Sequence, residues 1–540
     1  MSPLLVPGRT CGALVAPARG GLLIDGCDYY RAVYQAAIRA RRHILVAAWQ
    51  LDTRVPLLRA DEAKRARYPV ELLPLLRALC DERPALEVYL LAWDASALFA
   101  LEREPMQSLS FKLGGHPRIH FHLDDCHPRG GSHHQKLIIV DRDVAFVGGM
   151  DVCSGRWDDR CHRAGDGRRA NPLGGSYDPY HDVQSFVTGE AVDVLTAWFA
   201  DRWCCATDQR LRLTRPRPRR AAIVASCEVR APRVGLVRTV PRMPERDGAA
   251  IAEIRDLHLA AIAAARRAIY IENQYFSSED IRRALLGRLR APLPPLDVVI
   301  VLPKQTKALK ERITLGIRQA NILRELTAAA ADHGHRLGIY YTVDPGPPDD
   351  AAAVDAPVYI HSKVLSVDDR FLLVSSANTT NRSMGLDTEL GVAWESPRPS
   401  TSIRAARVEL LREHTGLAGD RADAVLGRLR GLVDRLDAFV DAGSGRLRRH
   451  PMEEGAGRDL LGRLLPDDIA IDPAGPVIDD ALGAVAESDG GSLLDRVSAA
   501  WHTLRAGLDV AQSLPADAER ESEQEGEGEG EGTSKPPLEA

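Results

Sequence analysis

No stretch of this 540-residue chain offers the roughly eighteen uninterrupted apolar residues that a membrane-spanning helix needs, which excludes a helical membrane protein. Aromatic residues are few at 5%, and the net charge is only −5. That mild acidic balance argues against a protein whose main partner is a nucleic acid backbone. The N-terminus has no basic start and Pro7, Arg9 and Pro17 interrupt its short apolar runs, so no Sec-type signal peptide is expected. The nine cysteines are odd in number and scattered, with Cys204 and Cys205 adjacent. They form no disulfide framework, and the expected location is the cytoplasm or the periphery of a membrane, with signal-less export also open.

What the chain does have is an internal repeat. His134-Gln-Lys-Leu-Ile-Ile-Val-Asp141 returns as His361-Ser-Lys-Val-Leu-Ser-Val-Asp368, both reading H-x-K-x-x-x-x-D. The match runs on without a gap, residues 134–151 (HQKLIIVDRDVAFVGGMD) aligning on 361–378 (HSKVLSVDDRFLLVSSAN). A helix over 29–42 running into a strand over 43–49 is echoed by a helix over 249–267 running into 269–276, at nearly the separation of the two motifs. Two anchors per half point to duplication of a whole α/β unit. Further strands are predicted at 86–92, 118–123, 296–302 and 337–342, and a helix over 307–331.

The expected fold is therefore α/β: two tandem halves related by a pseudo-twofold axis, each a mixed sheet flanked by helices, with the active site at their interface. The predicted divisions are a first half over 1–209, a basic Pro/Arg linker over 210–227, a second half over 228–400, a helical extension over 401–515 and an acidic low-complexity tail over 516–540. Within the extension, helices are expected over 404–414 and 425–440, with Leu429, Leu432, Val433, Leu436 and Phe439 forming a core stripe.

Residues two apart on a strand share a face, so His134 should neighbour Lys136 and His361 should neighbour Lys363. Asp141 and Asp368 lie at odd spacing and precede turns. They belong to the motif, but parity turns them away from the other two residues. A neutral imidazole is a nucleophile near neutral pH, a second can act as an acid, and a lysine holds phosphoryl oxygens as a point charge. Two such pairs facing each other suit phosphodiester cleavage through a phosphohistidine, with no metal ion or other cofactor required. Cys126-His127 and Cys161-His162 match no standard zinc spacing and are read as ordinary thiols and imidazoles.

The duplicated signature resembles that of the phospholipase D superfamily, over about residues 25 to 415. Gly148-Gly-Met-Asp151, Gly155-Arg-Trp-Asp158, Tyr180-His-Asp-Val183, Ile271-Glu-Asn-Gln274 and Ser376-Ala-Asn378 with Arg382-Ser383 look like the enzymes that act on phosphatidylcholine-type lipids. The resemblance implies that His134 is the nucleophile and His361 the general acid, and that Asp182 and Glu389 orient them. It also implies that Lys136, Lys363 and Asn378 hold phosphate, with Asp151 matching Asn378, while Trp157 shapes the cleft wall. Asn273 is expected to line the site because Glu272, Asn273 and Gln274 interrupt an apolar strand at its C-terminal end. Ser375-Ser376 stands where Gly-Ser is usual, and Asp151 where many relatives have asparagine. The implied reaction is hydrolysis of a glycerophospholipid at a membrane surface, with water or a primary alcohol as acceptor. A cardiolipin-synthase-like transferase and a nuclease of the same superfamily are the alternatives, the second supported only by the arginines of 210–220. Both half-sites lie on one chain, so a monomer suffices.

Overall fold

Alternating apolar residues give each central strand two buried faces. Along one strand, Leu137 and Ile139 enter the core between the halves, while Ile138 and Val140 enter the core under the first half's helices. The computed structural model describes residues 2–94, 111, 115–172, 174–243, 248–292, 294–305, 309–346, 354–443, 445–452 and 472–473. In the first half, β1 (Gly20–Ile24), β2 (His43–Ala48), β3 (Glu87–Trp93), β4 (Ile119–Asp124), β5 (Leu137–Val140), β6 (Val144–Gly148) and, after the short β7 (Tyr180–His181), β8 (Val183–Val187) give a sheet ordered β1-β8-β6-β5-β2-β3-β4. In the second, β9 (Arg233–Val240), β10 (Ala268–Glu272), β11 (Asp297–Val301), β12 (Arg336–Asp344) and, after β13 (Tyr359–Ile360), β14 (Val364–Val367), β15 (Phe371–Ser375) and β16 (Glu389–Glu395) give β9-β16-β15-β14-β10-β11-β12.

The two orders are the same. In both, three successive strands pair in parallel, β2-β3-β4 and β10-β11-β12. The remaining neighbours are antiparallel. The fold is α/β with mixed sheets and internal pseudo-symmetry, as expected from the repeat. Helices α1 (Asp25–Ala37) and α2 (Leu72–Glu82) cover the outer face of the first sheet. Helix α3 (Glu190–Thr207) joins the central core, and α4 (Glu253–Ala264), α5 (Glu279–Arg290) and α6 (Leu309–Asp332) cover the second sheet.

Several boundaries move. Residues 13–15 pair with β9 of the second sheet and 227–228 with β1 of the first, so each half supplies an edge strand to the other. Divisions at 209 and 228 miss this exchange, which satisfies backbone groups that an edge would leave unpaired. Residues 210–220 carry no helix or strand and are mostly exposed, with Arg217 and Arg219 laid along Arg41 and Asp143. After β16, α7 (Thr401–Thr415) is followed by a helix over Gly419–Leu426 and by α8 (Leu432–Asp441). The single helix expected over 425–440 is thus broken, at Gly431, whose φ of 68° lies in the left-handed region. Leu432, Val433, Leu436 and Phe439 do enter the core. Residues 447–449 are a strand on β12 rather than helix. The remainder of the expected extension, residues 472–473 apart, and all of the acidic tail lie outside the described residues.

A second correction concerns cysteine. Cys126, after β4, is disulfide-bonded to Cys205 on α3, 79 residues away, while Cys204 is free. Only the packing of α3 beside the end of β4 brings the pair together, and no local spacing announces it. Among the described residues no helix is long and apolar enough to cross a membrane.

Candidate active site

β5 begins at Leu137 and β14 at Val364, so each motif's His and Lys sit on the extended segment leading into a strand. The first segment is held by His134, whose N–H donates to the Thr388 carbonyl, at 3.0 Å. In the second, the His361 N–H donates to the His181 carbonyl, at 2.8 Å. Each imidazole therefore hangs from a backbone tied to the opposite half.

The side chains are crossed in the same way. His134 Nδ1 lies 3.0 Å from both carboxylate oxygens of Glu389, the first residue of β16. His361 Nδ1 lies 2.6 Å from Oδ2 of Asp182, between β7 and β8. Each carboxylate is fully buried and fixed: Ser376 Oγ donates to Glu389 at 2.5 Å, and the Val183 N–H donates to Asp182 at 2.8 Å. A carboxylate on Nδ1 sets the tautomer and leaves Nε2 of each ring for chemistry. Asp182 and Glu389 thus orient the histidines, each from the other half of the chain.

The lysines stand close by. Lys136 Nζ donates to the His134 carbonyl at 3.0 Å and lies 3.2 Å from Asp151 Oδ2. Lys363 Nζ reaches Gln274 Oε1 at 3.1 Å, the His361 carbonyl, and His361 Nδ1 at 3.1 Å. The pseudo-symmetry breaks here. The first lysine faces a carboxylate, whereas at the matching second-half position stands Asn378, whose buried Oδ1 has no hydrogen-bond partner among the described residues. His134, Lys136, Asp151, His361 and Asn378 line one cleft.

Asp141 and Asp368 are elsewhere. Asp141 accepts from the N–H groups of Arg41, Arg42 and His43 at 2.8–3.0 Å, and Asp368 from those of Arg266, Arg267 and Ala268 at 2.7–2.9 Å. Each clamps the start of its half's first parallel strand. Both have positive φ, 50° and 56°, at the turn after the motif strand. Removal of Asp368 with alanine leaves those donors without their acceptor and should lower stability by roughly 3 kcal/mol. Urea unfolding is expected to show that loss while the KM of the folded fraction stays unchanged.

Trp157 and Asn273 do not shape the cleft. Trp157 is buried in the first half's outer core between Arg59 and Arg168, whose guanidinium carbons lie 4.8 and 5.3 Å from its ring. Asn273 Oδ1 accepts from the Thr379 and Tyr275 N–H groups, tying two loops together. In both cases the neighbouring residue does the expected work: Arg156 and Gln274 line the cleft. β10 ends at Glu272, so strand alternation no longer dictates which of the next two side chains faces the cleft. The aromatic walls Trp49, Trp93 and Tyr275 carry no motif and were not legible in advance. His133 is buried behind the site, bridging Asp124 and Thr388 at 3.1 Å each.

Burial and neighbouring cations shape the titration of this site. Burial, then Lys363, Arg156 and Lys136, hold His361 well below the usual imidazole range. Burial pushes Lys363 down to about 7 against the attraction of Asp182. Burial likewise raises Asp182 to about 6, opposed by Lys363.

With this geometry in hand, a phospholipase D family model matches residues 126–283, and one described as cardiolipin synthase, PLD-like domain, matches residues 258–409. Together they cover more than half of the chain, one motif each. The chain belongs to the phospholipase D superfamily. Among curated members of the superfamily it is 26% identical to phospholipase D alpha 1 of Carica papaya over 75% of this chain and 66% of that protein. It is 27% identical to phospholipase D A of Dictyostelium discoideum over 67% of this chain and 32% of that protein. The chain thus spans about two thirds of the length of the first and about a third of the second. A solved structure of phosphatidylserine synthase from Haemophilus influenzae aligns over 80% of this chain and 95% of that one, at 13% identity and a TM-score of 0.49.

Proposed function

We propose that this phospholipase D superfamily member hydrolyses glycerophospholipids of the phosphatidylcholine type to phosphatidic acid and the head-group alcohol, with transphosphatidylation when a primary alcohol replaces water. The observation that carries the reading is the crossed pairing of His134 with Glu389 and of His361 with Asp182, with His134, Lys136 and His361 lining one cleft and Lys363 buried against His361 and Gln274.

In the first step His134 Nε2 attacks phosphorus, and the head-group oxygen leaves with its bonding pair and takes a proton from His361. The products are a phosphatidyl-histidine and a free alcohol. In the second, water or an alcohol gives its proton to His361 while its oxygen attacks phosphorus, and His134 departs with the P–N bonding pair. Glu389 stabilises charge that develops on His134, and Asp182 does so for His361. The lysines hold the equatorial oxygens. The order of the two histidines follows the superfamily resemblance.

In the free protein His361 is held neutral, whereas the first step needs it protonated. A bound phosphodiester brings one negative charge beside Lys136, Lys363 and Arg156. It thereby offsets the cations that depress His361 and restores the proton affinity of both His361 and Lys363. The sign of the pH dependence follows. An anion that stabilises the protonated forms binds with proton uptake, so affinity weakens as pH rises through the Lys363 value of about 7 in the free protein. A dialkyl phosphate, singly charged throughout this range, should bind about tenfold more weakly for each pH unit above that point. Calorimetric titration at several pH values measures this, and flat affinity up to pH 9 would count against it.

The function itself is tested by incubating the protein with phosphatidylcholine vesicles and a primary alcohol in buffer without added metal. Choline together with the phosphatidyl alcohol is expected. Degradation of DNA with neither lipid product formed would favour a nuclease, and formation of a diphosphatidyl product from phosphatidylglycerol alone would favour the cardiolipin-synthase-like transferase.

A further inference from the structure

Behind the cleft, four buried side chains converge from four separate parts of the chain: Asp25 at the start of α1, His162 in the loop after Gly155-Arg-Trp-Asp158, His181 on β7 and Glu413 on α7. One donor atom from each lies within 4.8 Å of all the others. His162 Nε2 is 3.0 Å from Glu413 Oε1 and 3.5 Å from Asp25 Oδ2, and His181 Nδ1 is 2.5 Å from Glu413 Oε1 and 3.0 Å from Asp25 Oδ1. Tetrahedral zinc, with bonds of about 2.0–2.2 Å, spaces its donors about 3.3 Å apart. The observed distances bracket that value.

The outer partners fit a metal as well. The nitrogen of each histidine that faces away from the cluster is held by a further buried carboxylate: His162 Nδ1 by Asp158 at 2.9 Å, and His181 Nε2 by Glu272 at 3.1 Å. Carboxylate–histidine–metal relays of this kind fix the tautomer that presents the other nitrogen to the ion. On the inner side, His181 Nδ1 and Asp25 Oδ2 are fully buried and form no hydrogen bond of acceptable geometry, although both are in ion-pair range of the cluster. Two buried polar atoms aimed at the same point indicate a ligand there.

Charge points the same way. Asp158 is paired with Arg169 at 2.9 Å and Glu413 with Arg160 at 2.8 Å. Among the described residues, Asp25 and Glu272 make their ion pairs with histidines alone, Glu272 also accepting from Tyr270 and Ser362 and Asp25 from the Asp182 N–H. Without an ion the balancing charge comes from protons held on the imidazoles, and a divalent cation would take their place.

From this geometry we infer that Asp25, His162, His181 and Glu413 form a structural divalent-metal site of the zinc type, tying α7 and α1 to β7, which leads into Asp182. The donors are nitrogen and oxygen only, which suits Zn²⁺. In the sequence His162 stands beside Cys161, which is exposed and takes no part in the cluster. His181 immediately precedes Asp182 and its carbonyl holds the His361 N–H, so the ion would brace the half-site without touching the reacting atoms. The inference does not rest on the proposed lipid substrate.

Zinc itself is the probe. The intact protein is stripped with a chelator, given an excess of Zn²⁺, desalted and analysed for metal, and X-ray absorption is recorded on the loaded protein. About one tightly held zinc per chain is expected, with two imidazole nitrogens and oxygen ligands at about 2.0–2.1 Å and no sulfur. The stripped protein should melt at a lower temperature and recover on adding Zn²⁺. His162→Gln and Glu413→Gln should retain at least tenfold less zinc, while His134→Ala should retain as much as the unsubstituted protein. Absence of retained zinc in the unsubstituted protein would overturn the inference, whether or not the variants fold. So would zinc lost in His134→Ala but kept in His162→Gln, or sulfur in the coordination shell.

Discussion

His134→Ala and His361→Ala should each lose at least about 10⁴-fold in kcat on phosphatidylcholine, yet differ sharply on a phosphatidyl ester of 4-nitrophenol. That leaving group departs as a stable anion and needs no proton. Without His361 the first step therefore still proceeds, releasing one burst of nitrophenolate per active site, while the second step stalls because no group accepts the proton of water. Without His134 there is no nucleophile, and no burst appears. Stopped-flow absorbance and mass spectrometry of the quenched protein read both outcomes. A burst from His134→Ala and none from His361→Ala would reverse the two roles. Bursts from both would remove the covalent step. The crossed geometry predicts a second tier: Glu389→Gln should impair whichever step depends on His134, and Asp182→Asn the step that depends on His361.

Gly149→Ala should also be damaging, although Gly149 does no chemistry. A Cβ built on Gly149 lies 2.6 Å from Asp182 Oδ1, 3.2 Å from Oδ2 and 3.2 Å from Lys363 Cδ. The first distance is below any real contact. The carboxylate cannot simply step aside, because it is fully buried and held by His361 Nδ1 and the Val183 N–H. Displacement misorients His361 and Lys363 together, and misplacement by an ångström costs catalysis about a hundredfold. A fall of about 10²–10³ in kcat is expected, with the dialkyl phosphate affinity also reduced because Lys363 shares the clash. Near-normal kcat would mean that the segment after β6 that carries Gly149 yields more than its packing suggests. At the matching second-half position Ser376 stands instead, and there the side chain is accommodated because its hydroxyl donates to Glu389. Its neighbour Ser375 fits because Gly391 opposite it has no Cβ; one placed there would lie 2.8 Å from Ser375 Cβ.

The repeat made the duplication of the sheet legible, because a gapless match over a strand, turn and strand can only be two copies of the same pairing. Element types along the central strands followed from apolar runs and periodicity, and the stripe at Leu432, Val433, Leu436 and Phe439 followed from helical spacing. Parity within the motif correctly separated Asp141 and Asp368 from the histidines and lysines. It did so although the strands begin only after the lysines, since extended backbone alternates whether or not it is paired. The sequence did not separate Asn273 from Gln274, because β10 ends at Glu272 and strand alternation no longer applies beyond it.

By itself, then, the sequence determined the two half-sites and the residue types each brings, since local alternation and repetition are properties of the chain. What the tertiary structure decided is everything that crosses between distant segments. It paired His134 with Glu389 rather than with a carboxylate of its own half, exchanged the edge strands and joined Cys126 to Cys205. It also gathered Asp25, His162, His181 and Glu413 around one point. The physical reason is common to all of these. Each contact is set by how two folded sheets and their helices close over a shared apolar core, and sequence spacing carries no record of that closure.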